Sequence, residues 1–151
     1  MSSTTEMKSV VVLSQAYDDR LAQQLNALGH LAQALGVDAS KYHGFKTAEY
    51  TDAVQRPLAK LSWWPLIVLS GRATKVAEFW NDLQSRELPK ACFVESMISG
   101  GSGAQLEATA KLQSPLPIIA ISAFGPASDL NALTKKLSLW RAPIAKRTTP
   151  L

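Results

Sequence analysis

The richest set of side chains able to do chemistry lies at Glu95-Ser-Met-Ile-Ser99-Gly100-Gly101-Ser-Gly103. It offers a carboxylate, hydroxyls, and backbone N–H groups that glycine leaves free just before a helix. Such a place can hold an anion or a developing oxyanion. No Gly-Lys-Ser/Thr follows and no GxGxxG is present, so the segment matches no phosphate-loop pattern. Gly101-Ser102-Gly103 is no nucleophile elbow either, and a flexible surface loop is the plainer reading. His30 is the second candidate, a base or pocket-shaping group on a helix face shared with Gln23, Asn26, Ala27 and Ala34. Solvent exposure or packing against a loop competes with that role. His43 has less to recommend it, and Trp63 and Trp64 read as packing residues. Cys92 stands alone in an apolar run. One cysteine closes no internal disulfide, no Cys/His cluster surrounds it, and a buried small hydrophobe is its expected role. Neither a metal site nor a cofactor is expected.

These residues need elements to position them. Lys8 to Ser14 is a continuous β-branched run, as in a strand covered on both faces. Asp18 and Asp19 supply cap chemistry for a helix. Leu21, Leu25, Leu28, Ala32 and Leu35 place its apolar stripe, with Gly36 as the stop. His30 is then about 180° from that stripe at about 100° per residue. Residues 37 to 62 suggest a packed loop with a short hairpin. Trp63 to Ser70 reads as a strand, Thr74 to Ser85 as a helix, and Ala91 to Glu95 as a strand. A short helix over Ala104 to Leu112 and a strand over Leu116 to Phe124 follow. Gly125-Pro126 reads as a turn, and Ser128 to Leu139 as the last helix. Alternating strands and helices predict an α/β three-layer fold with a parallel or mixed sheet. In such sheets, ligands favour the crevice beyond the carboxyl ends of the strands, here Ser14 to Tyr17, Ser70 to Arg72, Glu95 to Ser99 and Phe124 to Pro126.

With 151 residues, 46% of them hydrophobic and 19% charged, the chain suits one domain with a core at about residues 8–141 and tails at 1–7 and 142–151. The polar first residues and the strand-length apolar runs predict a cytoplasmic protein with no membrane partner. The net charge is +4, from 16 basic and 12 acidic residues. Lys135, Lys136, Arg141, Lys146 and Arg147 carry five of the positive charges. Without them, 11 basic residues (16 − 5) face 12 acidic ones, a net of −1. The basic character thus belongs to the last helix and tail, and a solvated end is its plainer reading over RNA binding.

The stretch Lys8-Ser-Val-Val-Val-Leu with His30-Leu-Ala, the run Leu88 to Ser99, and Phe124-Gly-Pro with Leu137-Ser-Leu-Trp-Arg141 resemble a bacterial family. It is catalogued as a domain of unknown function, number two thousand. That family is similar in fold to the archaeal and eukaryotic type of peptidyl-tRNA hydrolase. The resemblance implies a mixed four-stranded sheet between helices, with a cleft between the first helix and the loop after the third strand. His30 coincides with the histidine of the hydrolase's Gln-Cys-Ser-His-Ala motif, whereas Gln23 replaces its lysine and Ala27 its glutamine. Glu95 replaces the aspartate of Asp-Ala-Gly-Arg-Thr, and Ser99 its threonine.

Two functions are therefore expected. One is hydrolysis of an ester or amide in a small or tRNA-linked substrate. Glu95 would act as base or water-positioner, Ser99 and loop N–H groups would steady the oxyanion, and His30 would shape the pocket. Gln23, Asn26, Gly100 and Gly101 would bind the substrate. The other is a non-catalytic ligand-binding or regulatory protein using the same cleft, with a homodimer compatible with either.

Overall fold

The computed structural model describes residues 5–142. Lys146 and Arg147 of the basic segment lie outside them. The order of elements is β1 (Met7–Ser14), a 3-10 turn (Gln15–Tyr17), α1 (Leu21–Ala39), β2 (Thr47–Thr51), β3 (Pro57–Ser62), β4 (Leu66–Gly71) and α2 (Ala73–Gln84). Then come β5 (Lys90–Val94), a second 3-10 turn (Glu95–Met97), α3 (Ser102–Ala110), β6 (Ile118–Pro126), α4 (Ala127–Leu133) and β7 (Ser138–Leu139).

The β-branched run of β1 becomes the middle of a five-stranded mixed sheet, ordered β5-β6-β1-β4-β7. Alternation along β1 explains the layers. Val10 and Val12 pack with Val76, Phe79 and Leu83 of α2 and with Leu130 of α4. Val11 and Leu13 pack with Ala27 and Leu31 of α1. The result is helices on both faces of a sheet whose central strand is apolar on each side. β1 runs parallel to β4 and antiparallel to β6. β5 is also antiparallel to β6. β1, β4 and β5 therefore finish at the same end of the sheet, where both 3-10 turns begin.

The sheet has five strands rather than the four implied by the resemblance. The extra one comes from the segment read as the end of the last helix. The Thr134 hydroxyl donates to the Leu130 carbonyl at 2.7 Å, and the Leu137 N–H to the Thr134 carbonyl at 3.0 Å. This closes α4 at Leu133 and lets Ser138–Leu139 pair with Ser70 and Leu69. Gly125-Pro126 is likewise no turn, because both residues pair with the start of β1. The segment 37–62 does contain a hairpin, β2 with β3.

α1 departs most from its expected pattern. It runs past Gly36 to Ala39. Its buried residues are Gln24, Ala27, Leu31, Leu35 and Ala39, while Leu21 and Leu25 stay exposed. The centre of the buried face opens with a glutamine instead of a leucine. The fully buried Gln24 donates through Nε2 to the Ser14 carbonyl at 3.0 Å and to Asp18 Oδ1 at 3.2 Å, tying the helix to the end of β1.

Candidate functional site

Re-indexing α1 on its buried face changes the position of His30. It is about 60° from Ala27 and about 100° from Leu31, at the edge of the buried stripe. From there its ring stacks on Phe93 at the end of β5, with centroids 5.7 Å apart and planes 19° apart. Asn26, one turn earlier, shares that edge. Together with the chain after β5 they line a cleft of about 550 Å³. Met97, Ile98 and Phe93 give it an apolar floor, while Ser102, Gln105, Leu106 and Thr109 of α3 form the opposite wall. Apart from His30, no lining side chain is ionisable.

Two polar tethers hold the α3 wall. Ser96 and Thr109 share a hydroxyl–hydroxyl hydrogen bond of 2.7 Å. Gln105 Nε2 donates to the Gly100 carbonyl at 3.1 Å. Gly100 has φ of +86°, a left-handed conformation suited to glycine. It turns the chain so that Gly101 can precede α3. No residue of α3 is buried, so the wall rests on these contacts rather than on a core.

Glu95 belongs to a neighbouring cluster. The Tyr17 hydroxyl donates to its Oε2 and Arg20 Nη1 to its Oε1, each at 3.2 Å. The guanidinium also lies over the Tyr17 ring, 5.7 Å from its centroid. Burial first, and then the Glu95 carboxylate, raise the Tyr17 phenol above its ordinary value against the opposing charge of Arg20. With both oxygens engaged, Glu95 can activate a water only by sharing an acceptor or releasing a partner. Arg20 and Glu95 are each about half exposed, at 47% and 49%, so solvent screens their pairing.

The structure thus brings His30 and Asn26 into one cleft and places the other expected residues around it. Gln23 turns a buried Oε1 inward without a partner among the described residues and does not line the cleft. Ser99 is exposed on the loop before α3, and Gly100 and Gly101 position that helix. Sequence reasoning missed Tyr17, Arg20, Phe93, Gln105 and Thr109. Tyr17 is legible in part, since it closes the Ser14 to Tyr17 segment at the carboxyl end of β1. Gln105 and Thr109 carried no signal, because short polar helices show no period. Burial pushes the Cys92 thiol up to about 12, consistent with a packing residue. Among the described residues, no group of three His, Cys, Asp or Glu side chains could hold a metal ion, and no helix is long and apolar enough to cross a membrane.

The family model described as "Protein of unknown function (DUF2000)" matches residues 7–141. A solved structure of a protein of unknown function from Agrobacterium tumefaciens strain C58 is similar in fold, with a TM-score of 0.74 at 18% identity. The match covers 90% of this chain and 98% of that one. No curated protein matches the chain.

Proposed function

We propose that this chain, which belongs to the family described as "Protein of unknown function (DUF2000)", is a small-molecule-binding protein whose ligand sits between α1 and α3. The lining of the cleft carries this reading. Its volume of about 550 Å³ lies within the roughly 300–1,000 Å³ usual for ligand sites. A stacked His30–Phe93 pair gives one flat apolar surface, and Asn26, Ser102, Gln105 and Thr109 supply neutral donors and acceptors. With no fixed charge in the lining, a compact, planar, uncharged molecule bearing an amide or similar hydrogen-bonding edge is the best match. The lone ionisable group, His30, serves here as a platform.

Ligand-detected NMR against a set of neutral heterocyclic amides tests this. Binders should be found, and His30→Ala should weaken them about two- to tenfold, in keeping with one lost stacking contact of about 0.5–1.5 kcal/mol. Charged binders insensitive to both His30→Ala and Asn26→Ala would overturn the reading.

A hydrolase is the second reading, favoured by the Tyr17–Glu95–Arg20 cluster two residues before Met97 of the cleft. In it, Arg20 supplies a cation in place of the lysine that Gln23 replaces. Glu95 positions water, Ser99 and the N–H groups near Gly100 and Gly101 steady the oxyanion, and a peptidyl-tRNA hydrolase-like fold frames them. Release of peptide from an N-blocked aminoacyl-tRNA, lost in a Glu95→Ala, Ser99→Ala double variant, would establish this reading. No turnover at high protein concentration would remove it.

A further inference from the structure

On the α1 face of the sheet, at the end away from the Tyr17–Glu95 cluster, the hairpin β2–β3 leans over α1 and leaves a second cavity of about 490 Å³. Three independent features mark it as a built site. The first is its shape. Ala32, Gly36, Ala39 and Ser40 are small where α1 and its end line the space, and at the exposed Gly36 a Cβ would meet nothing within 4 Å. The second is Ser9, which lines the cavity at 5% exposure. Its hydroxyl is in none of the hydrogen bonds formed among the described residues, and it is not one of the side-chain atoms sealed from solvent without a partner, so it is a reachable polar group on the lining. The third is charge. Leu35, Phe45, Leu61 and Leu66 make the walls apolar, and Lys60 stands at the rim. Its only ion-pair partner among the described residues is Glu49, at a loose 3.8 Å.

From these features we infer that the cavity under the hairpin binds an amphipathic monocarboxylate, with its carboxylate at Lys60, its apolar body between α1 and the hairpin, and a hydroxyl or carbonyl on that body reaching Ser9. The apolar walls take up the hydrocarbon, whose removal from water supplies most of the affinity. The carboxylate displaces Glu49 as the partner of Lys60. The hydrogen bond to Ser9 selects an oxygenated chain over a plain one, because the plain chain would leave the buried hydroxyl unpaired. This site shares no lining residue with the cleft between α1 and α3.

Isothermal titration with ω-hydroxydecanoate, decanoate and decanol tests the inference on the full chain. ω-Hydroxydecanoate should bind about fivefold more tightly than decanoate, and Ser9→Ala should erase that preference. Lys60→Gln should weaken both acids about fivefold and leave decanol unchanged, while Glu49→Gln should tighten both. Gly36→Leu should abolish binding while unfolding no earlier than the parent, since the new side chain occupies the open space. Equal binding of the acids and the alcohol, binding that survives Gly36→Leu, or no heat with any of them would overturn it. So would a Gly36→Leu variant whose only change is its oligomeric state, because a second copy of the chain would then be the occupant.

Discussion

Gln24 illustrates how one residue can do two jobs that a sequence pattern separates. It occupies a core position of α1, where periodicity expects a leucine, and its amide closes the junction between β1 and the helix. Gln24→Leu keeps the volume but leaves the Ser14 carbonyl without that donor; Gln24→Ala leaves a cavity as well. We expect Gln24→Ala to cost about 2–3 kcal/mol, read by urea unfolding, with Gln24→Leu costing less. Equal stability of Gln24→Ala and the parent would show that the Ser14 junction carries no weight. Gln23 draws interest because it shares a face with His30 and stands where the resembled hydrolase has its lysine, whereas the residue on the buried face is its neighbour Gln24, one position and about 100° away. His30 stands out for its chemistry, but the leucine stripe sets it opposite the core, and its stacking on Phe93 is invisible in local sequence because the partner lies on a strand 63 positions later. Glu95 was legible from its position after a strand. Its two donors were not, because ion pairs across a fold leave no trace in local sequence.

At the scale of elements, the strands were the most readable parts. A run such as Val10 to Leu13 can be buried on both faces only in a central strand, and it is. The misread ends lie where side chain–backbone bonds compete with propensity, as at Thr134, which stops α4 and releases β7. α3 is the opposite case. It has helical propensity but no buried residue, so tethers rather than packing determine its stability. Removing the Ser96–Thr109 bond with Thr109→Val should therefore loosen α3 selectively. Amide exchange in Ser102–Ala110 should quicken about tenfold while global stability changes by less than about 1 kcal/mol, the signature of local opening. Uniform acceleration across the sheet would mean that α3 unfolds only with the whole domain. Because α3 is one wall of the cleft, the same variant should also weaken any ligand bound there.

The three-layer arrangement also gives the molecule an asymmetric response to pH. Asp52 and Glu78 are held below the ordinary carboxylate range, chiefly by hydrogen bonds from Arg56 and Lys75 respectively, but both are at the surface. Whatever stability they contribute is lost only as pH falls through those lowered values, and screening keeps it small. On the alkaline side the groups are inside. Burial raises Tyr17 above 10.0, and Cys92, next to Phe93 on β5 and packed against the cluster under α2, is pushed from 9.0 to about 12. For both, the folded chain retains a proton that the unfolded chain releases, so stability is fully present below the unfolded value and falls as pH rises through the window. One unit above 9.0, the thiol alone should account for about 1.4 kcal/mol, or about 4 °C in Tm for a chain of this size. Cys92→Ala has its own packing cost, but that cost is the same at every pH, so the slope isolates the titration. Between about pH 8 and pH 10 the parent should lose about 1.4 kcal/mol more stability than Cys92→Ala. Tyr17 should leave a residual decline in both proteins above its ordinary value. Parallel slopes across that interval would mean that water reaches the Cys92 thiol and that the layer formed by β5 and α2 opens more readily than its packing implies.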